Sequence, residues 1–87
     1  MDVEDRIRDF IMDHQRHWRG SRRELTRDRQ LIADGILDSL AILELVTYVE
    51  DTFGIEVLDE ELVPEHFVTI AAMGSFIASK RTASVAA

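Results

Sequence analysis

The chain contains no cysteine, which excludes a disulfide framework, a thiolate metal site and a protein-borne thiol nucleophile. Any thiol must be added from outside. It also lacks a long apolar run: no stretch approaches the roughly 18 residues that a membrane-spanning helix needs. The start, Met1-Asp2-Val3-Glu4-Asp5, is acidic where a signal peptide has a basic n-region and an apolar core. These absences lead us to expect a cytoplasmic protein without a membrane partner. Positive charge is in deficit too, with a net charge of -7 and an isoelectric point near 4.8. That balance repels nucleic acid and anionic lipid and favours partners that carry basic patches. No internal repeat or low-complexity tract is present.

With 87 residues, 46% of them hydrophobic and 31% charged, the chain suits one small domain and leaves no room for a second core. A pocket deep enough for an independent active site is not expected at this size. The three histidines, His14, His17 and His66, have neither ligand-like nor triad-like spacing. We therefore expect no catalytic residue, no metal site and no enzyme. Six arginines, Arg16, Arg19, Arg22, Arg23, Arg27 and Arg29, concentrate the positive charge in one stretch, whereas the region from Asp34 to Glu65 is strongly acidic. A nucleic-acid interface would need a basic domain with interleaved aromatics, and only Trp18 lies near. The arginines are instead expected to form intramolecular ion pairs, each of small worth, with contact to a partner as the second choice.

Apolar residues at Val3, Ile7, Phe10 and Ile11, continued by the half-apolar His14 and by Trp18, make one stripe at three- and four-residue steps and predict a first helix from Val3 to Trp18, closed by Gly20-Ser21. His14 falls on the core side of that stripe, as a structural side chain. Residues 20 to 38 form a long connection anchored by Leu25, Leu31, Ile32, Ile36 and Leu37, of the kind that is either functional or well packed. A second helix starts at Asp38-Ser39, where short polar side chains can cap the first turn, and ends at Phe53 before Gly54. Its core stripe is expected to be Ile42, Leu45, Val46, Val49 and Phe53. The acidic run Asp59-Glu60-Glu61 precedes Pro64-Glu65-His66-Phe67, which fits a short helix opened by proline. Thr69 caps a last helix bearing Ile70, Met73, Phe76 and Ile77, expected to end around Lys80 with cations at its negative dipole end. The fold class is all-α, a small three-to-four-helix bundle with a long loop between helices one and two.

The segment Gly35-Ile36-Leu37-Asp38-Ser39-Leu40, followed by Glu44-Leu45-Val46 and Glu50-Asp51-Thr52-Phe53-Gly54-Ile55, resembles the phosphopantetheine attachment region of acyl and peptidyl carrier proteins. Asp-Ser-Leu alone is a weak signal, since any Asp-Ser pair can cap a helix. Its specificity comes from the context: a glycine-containing loop before it, an amphipathic helix after it, and Phe-Gly-Ile one helix length later. The resemblance covers residues 3 to about 80. It implies a carrier domain over residues 1–81 with a disordered tail at 82–87, and a 4'-phosphopantetheine arm, drawn from coenzyme A, on the Ser39 hydroxyl.

Asp38 is implied to help dock the transferase and its metal, a carboxylate being a hard ligand suited to Mg²⁺. Leu40, Leu43, Glu44, Thr47 and Asp51 share the outward face of helix two, distinct from the core stripe, and are expected to form the docking patch. The implied partners are a phosphopantetheinyl transferase, an acyl- or aminoacyl-loading ligase or adenylation enzyme, and downstream synthases, transferases or tailoring enzymes, with the carrier itself a monomer. The sequence departs from carriers of fatty acid synthesis, which tend to have aspartate where Ala41 stands and methionine where Thr47 stands. It departs as well from the peptidyl carriers of multimodular synthetases, which place glycine and histidine just before the serine. The Leu37-Asp38-Ser39 form is closer to free-standing carriers of specialised polyketide, nonribosomal peptide or aminoacyl-transfer pathways. A carrier-fold interaction subunit without an arm, a carrier of primary fatty acid synthesis and a small helical nucleic-acid binder are the alternatives.

Overall fold

In the computed structural model, residues 2–14 and 18–86 are described, with the backbone alone for 82–86. Their regular structure is entirely helical: α1 (Val3–His14), α2 (Ser39–Phe53) and α3 (Ile70–Ala86), with single 3-10 turns at Arg22–Glu24, Asp59–Glu61 and Pro64–His66. No strand occurs among the described residues. α1 packs chiefly on α3, and both meet α2. The core gathers Ile7, Phe10 and Ile11 of α1, Leu45, Val46 and Val49 of α2, and Ile70, Met73 and Ile77 of α3. Phe67 and the loop anchors Leu25, Leu31, Ile36 and Leu37 close it. The long connection is thus packed, as its apolar spacing requires.

α1 is shorter than its stripe implies. Trp18 lies beyond the helix and packs against the core from the loop, while Gln15, Arg16 and His17 fall outside the described residues, so expectations at Arg16 and His17 are not addressed. Gly20 does not simply end a helix. A Cβ there would fall 1.9 Å from Cζ2 of Trp18, so only glycine lets the indole lie over the backbone. His14, expected on the core side, is exposed. It lies with its ring stacked on Phe10 at 4.0 Å and its Nδ1 3.1 Å from the Phe10 carbonyl oxygen.

Both ends of α2 fall where capping chemistry puts them. Asp38 is extended, and its Oδ1 accepts from Ala41 N–H at 2.8 Å. Gly54 takes the left-handed conformation at φ 66°, which a side chain resists, and its N–H bonds the Glu50 carbonyl. The rotation of α2 about its own axis differs from expectation. Its buried positions are Ala41, Leu45, Val46 and Val49, whereas Ile42 and Phe53 are only partly buried. Ala41 lies beside Phe10 and Ile11, and its small side chain lets α2 turn that edge toward α1, which carries Ile42 outward.

The proline-led segment forms a 3-10 turn at Pro64–His66, with Pro64 at its first position. Thr69 caps α3 as expected, its Oγ1 accepting from Ala72 N–H at 3.0 Å. The helix does not stop near Lys80 but continues to Ala86, because Thr82-Ala83-Ser84-Val85-Ala86 contains no glycine or proline to end it. Lys80 and Arg81 therefore sit within the helix. Lys80 binds Glu61 at 2.8 Å, and Arg81 covers the Phe53 ring at 5.8 Å.

Arginines fasten the long loop to α1. Arg22 pairs with Asp9, Arg27 with Glu4 at 2.8 Å, and the Arg8 Nε donates to the Leu25 carbonyl at 2.7 Å. Arg29 closes the loop on itself through Asp34 at 2.7 Å.

Two leucines two positions apart on α2 separate core from surface. Leu45 is fully buried and Leu43 is 54% exposed. Leu45→Ala should cost about 2–5 kcal/mol of unfolding free energy. Leu43→Ala should stay within about 0.5 kcal/mol. Urea denaturation of the two variants reads the difference, and equal losses would put the helix phase in error.

Candidate functional site

Ser39 is the first residue of α2 and is exposed. With Asp38 as cap, its hydroxyl stands where the unpaired N–H groups of the first turn and the helix dipole favour an anion.

Beside it lies an open, mainly apolar groove of about 510 Å³. The head of α2 supplies one wall through Ser39, Ile42 and Leu43, with Asp38 at the rim. Ile32 and Leu37 of the long loop form the floor, and Leu62, Val63, Pro64 and Phe67 form the far wall. Backbone bonding holds these pieces together. Leu31 N–H donates to the Val68 carbonyl at 2.8 Å, and the Leu31 carbonyl accepts from both Ile36 and Leu37 N–H at 2.9 and 3.0 Å. At the far end of α2, the Glu50 carboxylate accepts from Val57 N–H at 2.9 Å, fixing the chain as it leaves for the groove wall.

The face expected from the sequence is found on the outside of α2. Leu40 is 53% exposed, Thr47 and Asp51 are exposed, and Glu44 is partly buried. The Thr47 hydroxyl turns back on its own helix, donating to the Leu43 carbonyl at 3.2 Å. Of this set the structure brings only Leu43 to the groove, together with Asp38 and Ser39; Leu40, Glu44, Thr47 and Asp51 do not line it.

The far wall was not foreseen from the sequence. Its signal was present in Leu58 and Leu62, which are 41% and 37% exposed and are the apolar residues flanking an acidic run ahead of the single proline. No group of three or more His, Asp or Glu able to hold a metal ion occurs among the described residues. Nor is any helix among them long and apolar enough to cross a membrane.

One acid next to the wall, just before Leu62, is electrostatically set. The Glu61 carboxyl is held below the ordinary glutamate range, first by the hydrogen bond from the Lys80 ammonium and second by the Leu58 N–H, with desolvation opposing. No protein-family model matches the chain, and no curated protein matches it.

A carboxyl whose titration is lowered on folding adds stability above its unfolded value and loses it as pH falls toward the folded one. Wild-type protein should therefore lose stability on acidification through the glutamate range more steeply than Glu61→Gln does. Urea midpoints across a pH series check this, and parallel curves would refute it.

Proposed function

We propose that the protein is a free-standing carrier, which holds an acyl or aminoacyl group as a thioester on a 4'-phosphopantetheine arm attached to Ser39. The observation that carries this reading is the exposed Ser39 at the head of α2, capped by Asp38 and opening onto an apolar groove. A phosphodiester on Ser39 would lie at the helix N-terminus, where the dipole and free N–H groups favour its charge. The groove offers the arm an apolar surface directly beside its root. The chain has no cysteine, so in this reading a transferase supplies the arm with its thiol and partner enzymes supply the bond-making. The carrier's contribution is effective concentration: a tethered substrate meets each docked enzyme as if intramolecular.

The α2 face suits such docking. Leu40 and Leu43 offer apolar contact, and Glu44 and Asp51 add negative charge that speeds encounter with basic enzymes. Asp38 combines two roles in this reading, as helix cap and as a carboxylate near the transferase's Mg²⁺. Specialised polyketide, nonribosomal peptide or aminoacyl-transfer chemistry is the setting that the Leu37-Asp38-Ser39-Leu40-Ala41 sequence fits.

Incubation with coenzyme A and a broad-specificity phosphopantetheinyl transferase should add the mass of one arm to wild-type protein and none to Ser39→Ala. An unmodified wild type, or a Ser39→Ala protein that still gains the arm, overturns the reading. Leu43→Glu should slow the modification while leaving the far-ultraviolet circular dichroism unchanged, because the side chain is exposed and outside the core.

A further inference from the structure

The far wall of the groove consists of short turns, so contacts with the rest of the fold must hold it at a fixed distance from α2. Leu62 and Val63 lie between two single 3-10 turns, Asp59–Glu61 and Pro64–His66, neither long enough to be stable alone. One residue collects the restraints. The Glu61 Oε1 accepts from Leu58 N–H at 2.9 Å and from the Lys80 ammonium of α3 at 2.8 Å. The Glu61 carbonyl lies 2.9 Å from the His66 Nδ1, which closes the chain around Leu62, Val63 and Pro64. The His66 ring stacks on Phe76 of α3 at 4.3 Å and 15°, and Phe67 meets the same Phe76 edge-on at 6.3 Å. Glu61 and Lys80 side chains are each less than a quarter exposed, so their pair is shielded from solvent more than an ordinary surface pair.

We propose that Glu61 and Lys80 are positioning residues for the groove, a latch that ties its far wall to α3 and so sets the apolar opening beside Ser39. Neither side chain lines the groove; both act through Leu62, Val63 and Pro64. The purpose of the latch, to shape the surface on which the arm rests, depends on the carrier reading. Its geometry does not. Lys80 is the chain's single lysine and reaches from the middle of α3, a position that depends on the helix continuing past it. Arg81, one residue further along α3, covers Phe53 and takes no part in the wall.

The test is titration of the folded protein with a neutral apolar dye, N-phenyl-1-naphthylamine, followed by fluorescence. Wild type should bind it, and Leu43→Glu, in the opposite wall, should abolish binding, which assigns the dye to the groove. Lys80→Met, which keeps most of the unbranched side chain but removes the charge, and Glu61→Ala should weaken binding about two- to fivefold, the range that a modest ion pair supports. Glu61→Gln keeps an acceptor for Leu58 N–H and Lys80 and should recover most of the affinity. Arg81→Ala should lower the melting temperature without changing dye affinity.

Equal dye affinity in wild type and Lys80→Met overturns the latch, as does an Arg81→Ala loss as large as that of Lys80→Met, or a wild type that binds no dye. The arm-addition assay separates the two ideas. If Ser39 accepts no arm while the dye series divides as stated, the carrier reading fails and the latch stands. If Ser39 accepts the arm and the dye ignores Lys80, the latch alone fails.

Discussion

The bond from Leu31 N–H to the Val68 carbonyl joins two loops that are distant in sequence, and the geometry of the Ser39 region depends on it. Leu31 is fully buried, so an unpaired backbone group there would be costly. Its N–H satisfies the approach to α3, and its carbonyl gathers Ile36 and Leu37 just before α2 begins. The head of α2 and the residues entering α3 are thereby held to one anchor. Phe67, adjacent to Val68, is buried between them and lines the groove. The groove is the space left when these two chain segments are fixed at that separation.

Electrostatics divides the molecule in a way that net charge does not convey. The protein is acidic, yet several arginines of its long loop bond back to α1 or to the loop itself, using Glu4, Asp9 and Asp34, and Arg8 of α1 bonds the Leu25 carbonyl of the loop. Glu4 and Asp9 of α1 are engaged by Arg27 and Arg22, whereas Asp51 on α2 lies exposed in a stretch, Asp34 to Glu65, that contains no lysine, arginine or histidine. The α2 segment thus carries acidic charge without basic residues of its own. Fields around exposed charges act on encounter rates over roughly a Debye length.

The Ser39 region reflects the small size of the domain. A core of three helices is filled by its own side chains, and the spaces remaining inside it are tiny: that between α2 and α3, lined by Val46, Val49, Met73 and Ile77 among others, is about 10 Å³. Such a core can position one hydroxyl at a helix start and one apolar surface beside it. The carrier reading asks for no more than these two features.

What the sequence determined by itself was local. Asp38 and Gly54 set both ends of α2 because capping is a bond between neighbours in the chain, and Thr69 did the same for the start of α3. The exposed row of Leu40, Leu43, Thr47 and Asp51 followed from helical period alone. Which row faced inward was not local. Ala41 rather than Ile42 took the buried position, beside Phe10 and Ile11, thirty residues earlier. His14 sits outside because its ring finds Phe10, and α3 passes Lys80 because nothing in 82–86 stops it. The groove wall was the least legible: its 3-10 turns owe their place to Lys80, Phe76 and Val68, residues whose distance from them exists only after folding. Tertiary structure decided these features because helix rotation and loop position are settled by the volumes and hydrogen bonds of residues remote in sequence, which no single window of the chain contains.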